Sequence, residues 1–232
     1  MTHNVGISLN SPQKFFGILS INQGINITDN WYDESYQFRY DEETDQIVRE
    51  EVGGLAMQHR IRYNARANTK LYGMFPGVGP FVAFRHVMTP SVSFGFEPNY
   101  EDLGWGVVDV MTPDGLVARD VFTGSTPSQG SANINWSVSN LFQTKILKNE
   151  KEQKLDLFNL NFSSGYDFRR EENKMQDLRS RFSVSSSSLR NVNISASASH
   201  SFYQFDTEAN RLTDTYLWES GGWKDLSFLR LT

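Results

Sequence analysis

The sequence predicts an all-β protein: an antiparallel up-and-down meander of about nine long strands, part of a transmembrane outer-membrane β-barrel. Three observations lead there. Apolar and polar residues alternate with period two over stretches mostly about 10 to 15 residues long, more than strands of soluble domains usually reach. The links between these stretches are by turns short and then longer and more polar, as in an outer-membrane meander. The second face of the stretches is rich in Ser and Asn, where a solvent-facing sheet more often carries Lys and Glu.

Composition narrows the function classes. The 232 residues include no cysteine, carry a formal net charge of −5 and have a mean hydropathy of −0.48. A negative balance without a basic block argues against nucleic acid as a partner. Without cysteine there is neither a disulfide framework nor a thiolate metal site. No run of about 18 apolar residues exists, which excludes a spanning helix but not a spanning barrel. The N-terminal MTHNVGISLN has neither a charged n-region nor an apolar h-region. The chain ends in LSFLRLT, the start of another strand, so the expectation is a fragment of a larger barrel, with residues 1–232 as one partial domain.

Val5, Ile7 and Leu9 alternate with polar or small residues, and SPQ is read as a short turn near 11–13. Phe15, Leu19, Ile21, Ile25 and Ile27 then share a face opposite Ser20, Asn22, Asn26 and Thr28. Trp31 and Tyr32 follow where girdle aromatics would sit. Tyr36, Phe38 and Tyr40 continue to the acidic turn DEETDQ.

The most regular stretch is Leu55–Pro98. Leu55, Met57, Ile61, Tyr63, Ala65, Ala67, Leu71 and Phe75 fall on one face. Gln58, Arg60, Arg62, Asn64, Arg66, Asn68 and Lys70 fall on the other, so one continuous ribbon with an apolar and a cationic side is expected. PGVGP turns it near 76–80, and Phe84, Met88, Val92, Phe94 and Phe96 return opposite Arg85, Thr89, Ser91 and Ser93. From about 97 to 131 the alternation lapses into a long loop-like composition of Gly, Pro, Asp and Thr, read as extracellular, with a small hairpin VVDVMT-PDG-LVARDVF inside it. Alternation resumes at Ile134, Trp136, Val138, Phe142 and Ile146, turns at KNEKEQK (near 148–154), and returns through Phe158, Leu160, Phe162, Tyr166 and Phe168. Phe182 and Val184 open a Ser-rich strand, SLRN turns it near 188–191, and Val192 to Phe202 bring it back before Tyr216 and Trp218. The short turns are read as periplasmic.

LYGMFPGVGPFVAFRHVMTPSVSFGFEP resembles the C-terminal barrel of the lipopolysaccharide-assembly protein LptD family, also called OstA or organic solvent tolerance protein. The residues carrying the resemblance are Leu71, Tyr72, Gly73, Arg85, His86, Thr89, Pro90 and Ser91. A second block, SVSNLFQTKILKNEKEQKLDLFNLNFSSGYDF, is similar to a hairpin of the same family. The resemblance implies a large closed barrel that carries lipopolysaccharide to the outer leaflet of the bacterial outer membrane, in which it is integral. It also implies a periplasmic Lpt bridge, a plug lipoprotein (LptE-like) and outer-membrane lipids as partners, no cofactor and no enzymatic activity.

Among chemical features, Arg60, Arg62, Arg66 and Lys70 could line a lumen and guide phosphorylated or carboxylated sugars, or simply pair with acidic neighbours. Pro90 removes a ladder donor inside a strand, which points to a bulge or a weakened seam. His59, His86 and His200 fall on the apolar face, where an interfacial position is expected, and no spacing supports a metal site. Glu97, Glu101, Asp102, Asp109, Asp114 and Asp120 match no calcium loop and read as a solvated loop. No G-x-S-x-G occurs, and nothing helical follows GVGP as a phosphate loop requires. A porin or receptor barrel, an outer-membrane hydrolase using His86 and His200, and a soluble β-sandwich are the competing readings.

Overall fold

A computed structural model describes residues 3–122, 130–148, 151–185, 193–219 and 230–231. The strands are β1 (His3–Phe15), β2 (Leu19–Asp41), β3 (Gln46–Asn68), β4 (Leu71–Pro76), β5 (Phe81–Glu97), β6 (Val107–Thr112) and β7 (Gly115–Asp120). They continue as β8 (Ser131–Lys148), β9 (Lys151–Asp167), β10 (Leu178–Ser185), β11 (Asn193–His200), β12 (Tyr203–Asp206), β13 (Arg211–Tyr216) and β14 (Arg230–Leu231). A 10-stranded sheet has the order β1-β2-β3-β5-β8-β9-β10-β11-β14, with β4 also on β5, while β6–β7 and β12–β13 form separate pairs. Among the described residues the end strands β1 and β14 do not pair with each other, so this sheet is not closed.

The chain divides into two compact units. The first comprises Met1–Ser11, Gln23–Ala65 and Gly95–Ala132. Its long strands β2 and β3 meet in a four-residue turn, Glu42 to Asp45, where Asp45 takes a left-handed φ of 55°. The Asp41 carboxylate accepts the Glu43 N–H at 3.0 Å, the local bond that favours Asp at turns. The β6–β7 hairpin closes through Gly115 at φ 125°, as the Pro-Asp-Gly signal requires. Tyr32, Tyr100, Val107, Val110 and Phe122 are buried in this unit.

The second unit comprises Pro12–Asn22, Arg66–Phe94 and Asn133–Thr232. Its register keeps like with like, because residues directly opposite in an antiparallel pair project to the same face. Val138 opposes Phe162, Phe142 opposes Phe158, and Phe182 opposes both Leu160 and Ala196. On the other face Ser137 opposes Ser163, Ser139 opposes Asn161, and Arg181 opposes Asn161 and Ser197. A bulge between Phe142 and Gln143 skips Leu157 and flips the phase of β9 below it. The β4–β5 turn depends on Gly77, whose absent Cβ would lie 1.9 Å from the Phe81 carbonyl.

Along the strands of the large sheet, burial is inverted relative to a water-soluble domain. Val5, Ile7, Leu9, Met57, Val92 and Ile194 are exposed, whereas Gln58, Glu97, Asn140, Gln143, Thr144 and Ser164 are buried.

Several expectations are corrected. SPQ at 11–13 lies inside β1, and the chain turns instead at Phe16 and Gly17, with φ of 51° and 71°. β2 and β3 run to 23 residues each, beyond the expected lengths, and meet at the acidic DEETDQ turn. The ribbon from Leu55 to Phe75 is broken at Thr69–Lys70. Tyr32 is not a girdle residue: its ring stacks on Phe122 at 5.0 Å and is buried. Tyr216 ends β13 in a two-stranded sheet with β12 and does not extend the large sheet. Residues 77–80 join β4 to β5, and β6 pairs with β7 within the segment 97–131. Of the turn expected near 148–154, Lys148 and residues from Lys151 onward are strand, while 149–150 and the turn expected at 188–191 lie outside the described residues.

Candidate functional site: the polar face

In the first unit the even positions of β1, β2 and β3 form rows of amides. Asn4 donates to Asn30 at 2.6 Å, and Asn30 in turn donates to Gln58 at 2.9 Å. One row along, Ser8 donates to Asn26 at 2.6 Å and Asn26 to Asn64 at 3.4 Å. Gly24 sits between the Asn10 and Asn64 amides, whose oxygens a Cβ there would meet at 2.7 and 3.2 Å. Cross-strand amide pairs are a sheet's own means of satisfying a polar face away from bulk water.

Arg60 and Arg62 adjoin these rows, and both are held by Glu97. Arg60 Nη2 lies 3.1 Å from one Glu97 oxygen and Arg62 Nη2 2.9 Å from the other. The Glu97 side chain is only 7 % exposed, so its charge depends on those two guanidiniums. Glu97 is therefore not part of a solvated acidic loop, and two of the four predicted lumen cations share its single carboxylate as a direct partner. A pocket of about 280 Å³ is lined by Asn26, Asn30, Arg60, Arg62 and Glu97 among others.

Tyr100 completes the cluster. Its hydroxyl accepts the Ile61 N–H at 2.9 Å and lies 3.1 Å from the Ile61 carbonyl, to which it can donate. One side chain thus takes both backbone groups that a neighbouring strand would otherwise satisfy, just past the end of β5. Burial raises the Tyr100 phenol above its ordinary value of 10; the Ile61 N–H opposes this, and the Glu97 carboxylate adds to the rise. The sequence carried no local signal for Tyr100, since its partner is in β3.

In the second unit, Arg66 and Lys70 are exposed, and among the described residues neither is in an ion pair. The motif residues cluster on β4 and β5. Leu71 opposes Met88, Tyr72 opposes Val87, and Gly73 opposes His86. Arg85 lies over the Tyr72 ring at 4.7 Å. Ser91 Oγ is 3.1 Å from Ser137 Oγ on β8. Thr89 and Pro90 lie where β3 gives way to β4: Thr69 N–H donates to the Pro90 carbonyl at 3.2 Å, and proline returns no bond.

The histidines are dispersed. His59 is bonded to Asp29 at 2.7 Å and lies edge-on to Trp105 at 5.7 Å. His86 bonds Asn140 at 3.0 Å and stacks on Phe142 at 4.4 Å. No serine or threonine hydroxyl is bonded to either ring, so neither is part of a nucleophile–base pair among the described residues. Among those residues no group of three or more His, Asp or Glu is placed to hold a metal ion.

A family model described as LptD protein matches residues 1–203. No curated protein and no solved structure matches the chain.

Proposed function

As the chain belongs to the LptD protein family, whose work is lipopolysaccharide transport and assembly at the outer membrane, we propose that its strands form part of a closed barrel that passes lipopolysaccharide into the outer leaflet. The observation that carries the reading is the inverted burial: aliphatic residues exposed on one face, amides and hydroxyls bonded to one another on the other. A soluble sandwich buries its apolar face against a second sheet, whereas the aliphatic residues here are exposed, and large exposed apolar patches are rare in water.

In this reading the apolar phase faces lipid and the polar phase a wet lumen. The row His86–Phe142–Phe158–Phe182, with centroids 4.4, 4.4 and 5.7 Å apart, is a girdle at the level of one membrane interface. The short turns after β1 and β4 are periplasmic, and the β6–β7 hairpin is extracellular. Arg60, Arg62, Arg66 and Lys70 line the lumen, the first two as structural cations. Strands supplied from beyond this sheet close it, because an open edge in hydrocarbon strands backbone donors and acceptors. A plug lipoprotein of the LptE type and a periplasmic Lpt bridge are the partners this assignment requires.

Native cysteine is absent, so single-cysteine labelling tests the reading cleanly. In bacterial outer membranes, Ser91→Cys and Ser93→Cys are expected to react with a water-soluble maleimide, while Val92→Cys and Phe94→Cys stay protected until detergent is added. Equal reactivity across all four positions would sink the membrane assignment. Depletion of the chain is expected to strip lipopolysaccharide from the cell surface; unchanged surface lipopolysaccharide would sink the transport assignment.

A further inference from the structure

We propose that Arg66 and Arg179 form a subsite for a phosphorylated saccharide on the polar face of the second unit. This rests on the lumen reading above, but of the four cations expected from the sequence it keeps only Arg66 and joins it to Arg179, which the sequence did not single out.

The argument starts from charge. Arg60 and Arg62 share a direct ion-pair partner in Glu97, at 3.1 and 2.9 Å. Arg66 and Arg179 have no such carboxylate: among the described residues neither is in an ion pair. Both line one cleft of about 340 Å³, with Ser91, Ser137, Ser163 and Gln176 between them. That volume falls within the range of small-molecule sites, roughly 300–1,000 Å³. The lining contains one carboxylate, Asp177, and its Oδ2 accepts a hydrogen bond from Ser199 at 3.0 Å. The cleft therefore keeps a cationic excess.

The walls are fixed. Ser164 Oγ donates to the Gln176 carbonyl at 2.7 Å and the Gln176 N–H to the Gly165 carbonyl at 2.8 Å, pinning the approach to β10 onto β9. Gly165 is what lets them close: a Cβ there would meet the Asn135 side-chain oxygen at 2.3 Å and Gln176 Cδ at 3.1 Å. On β10, Arg179 lies directly between Ser163 of β9 and Ser199 of β11. Guanidinium forks match the oxygens of a phosphate two at a time, and neighbouring hydroxyls and amides suit the hydroxyls of a sugar ring. Bare inorganic anions would use only the first of these.

The test is titration of the full chain in detergent with glucose 1-phosphate, followed by calorimetry. Glucose 1-phosphate is expected to bind at least tenfold more tightly than glucose, inorganic phosphate or glucuronate. Arg66→Ala and Arg179→Ala are each expected to weaken it by tenfold or more, with Arg66→Lys in between, at unchanged circular dichroism. Arg39→Ala, which removes an exposed arginine paired with Glu50, should leave binding unchanged. Inorganic phosphate binding as tightly as the sugar phosphate, preference for glucuronate, or full affinity in both alanine variants would each overturn the proposal. The cysteine labelling pattern separates the two readings. Alternating protection without sugar-phosphate binding sinks the subsite alone, whereas binding without alternation sinks the membrane assignment.

Discussion

Tyr100 does for β3 what a paired strand does elsewhere. Beyond Glu97 the ladder from β5 has ended, yet both backbone groups of Ile61 are satisfied by one fully buried hydroxyl. Tyr100→Phe keeps the ring and removes both bonds, leaving a donor and an acceptor stranded, at a cost of about 1–3 kcal/mol. Because the ring contacts remain, the loss should be local: faster proteolysis between Glu97 and Asp120, read against an intact large sheet. Proteolysis as slow as in the parent would show that the hydroxyl is dispensable. The same residue sets a pH dependence. Its phenol is raised above 10, so the neutral form is favoured in the folded chain. That stabilisation is fully present below about pH 10 and is lost as pH rises through the higher folded value. Protection of the 97–120 segment should therefore fall at alkaline pH in the parent and lack that component in Tyr100→Phe.

At the scale of elements, the interruption between β3 and β4 has its cause on another strand. Thr69 and Pro90 form what would be a reciprocal hydrogen-bonded pair, but only Thr69 has an N–H to give. Pro90→Ala supplies the missing donor to the Thr69 carbonyl. The added bond contributes about 0.5–1.5 kcal/mol. Loss of the proline's restriction on the unfolded chain offsets about 0.4–1 kcal/mol of that. Global stability should thus barely move, while the new amide at position 90 exchanges slowly and the strand becomes continuous. Rapid exchange there would mean that Pro90 does not cause the break.

This explains what the sequence could show. Alternation is a local property, and its phase is legible: Leu55, Met57 and Val92 are exposed, while Gln58 and Asn64 bond across strands. The PGVGP turn and the Pro-Asp-Gly hairpin are equally local. What was not legible is set by partners distant in sequence. The break at Thr69–Lys70 belongs to Pro90, and the pairing of Arg60 and Arg62 belongs to Glu97. The Leu157 bulge belongs to the match between β8 and β9. The turn after β1 places a phenylalanine at a φ of 51°, a conformation for which Phe carries no signal, so SPQ looked the better turn.

For the whole molecule, the deciding question is which solvent the apolar face meets. Val92 is a sharp probe of it. It lies on β5, an interior strand of the sheet, and is 44 % exposed, with Ser91 and Ser93 on the opposite face. If that exposure is to water, Val92→Arg is an ordinary surface change, worth within about 0.5 kcal/mol of zero. If it is to hydrocarbon, arginine near the bilayer midplane costs about 2–4 kcal/mol, falling towards zero at the interfaces. Ser93→Arg, one residue on, projects into the polar face in either case and should cost far less than Val92→Arg in a bilayer. The measurement is reversible urea unfolding of both variants in lipid vesicles. A penalty of 2 kcal/mol or more at Val92, not matched at Ser93, is expected of a barrel wall, and it should shrink as the arginine is moved from Val92 towards Phe84 and the aromatic row. Equal and small penalties at both positions would return the chain to a water-soluble sheet.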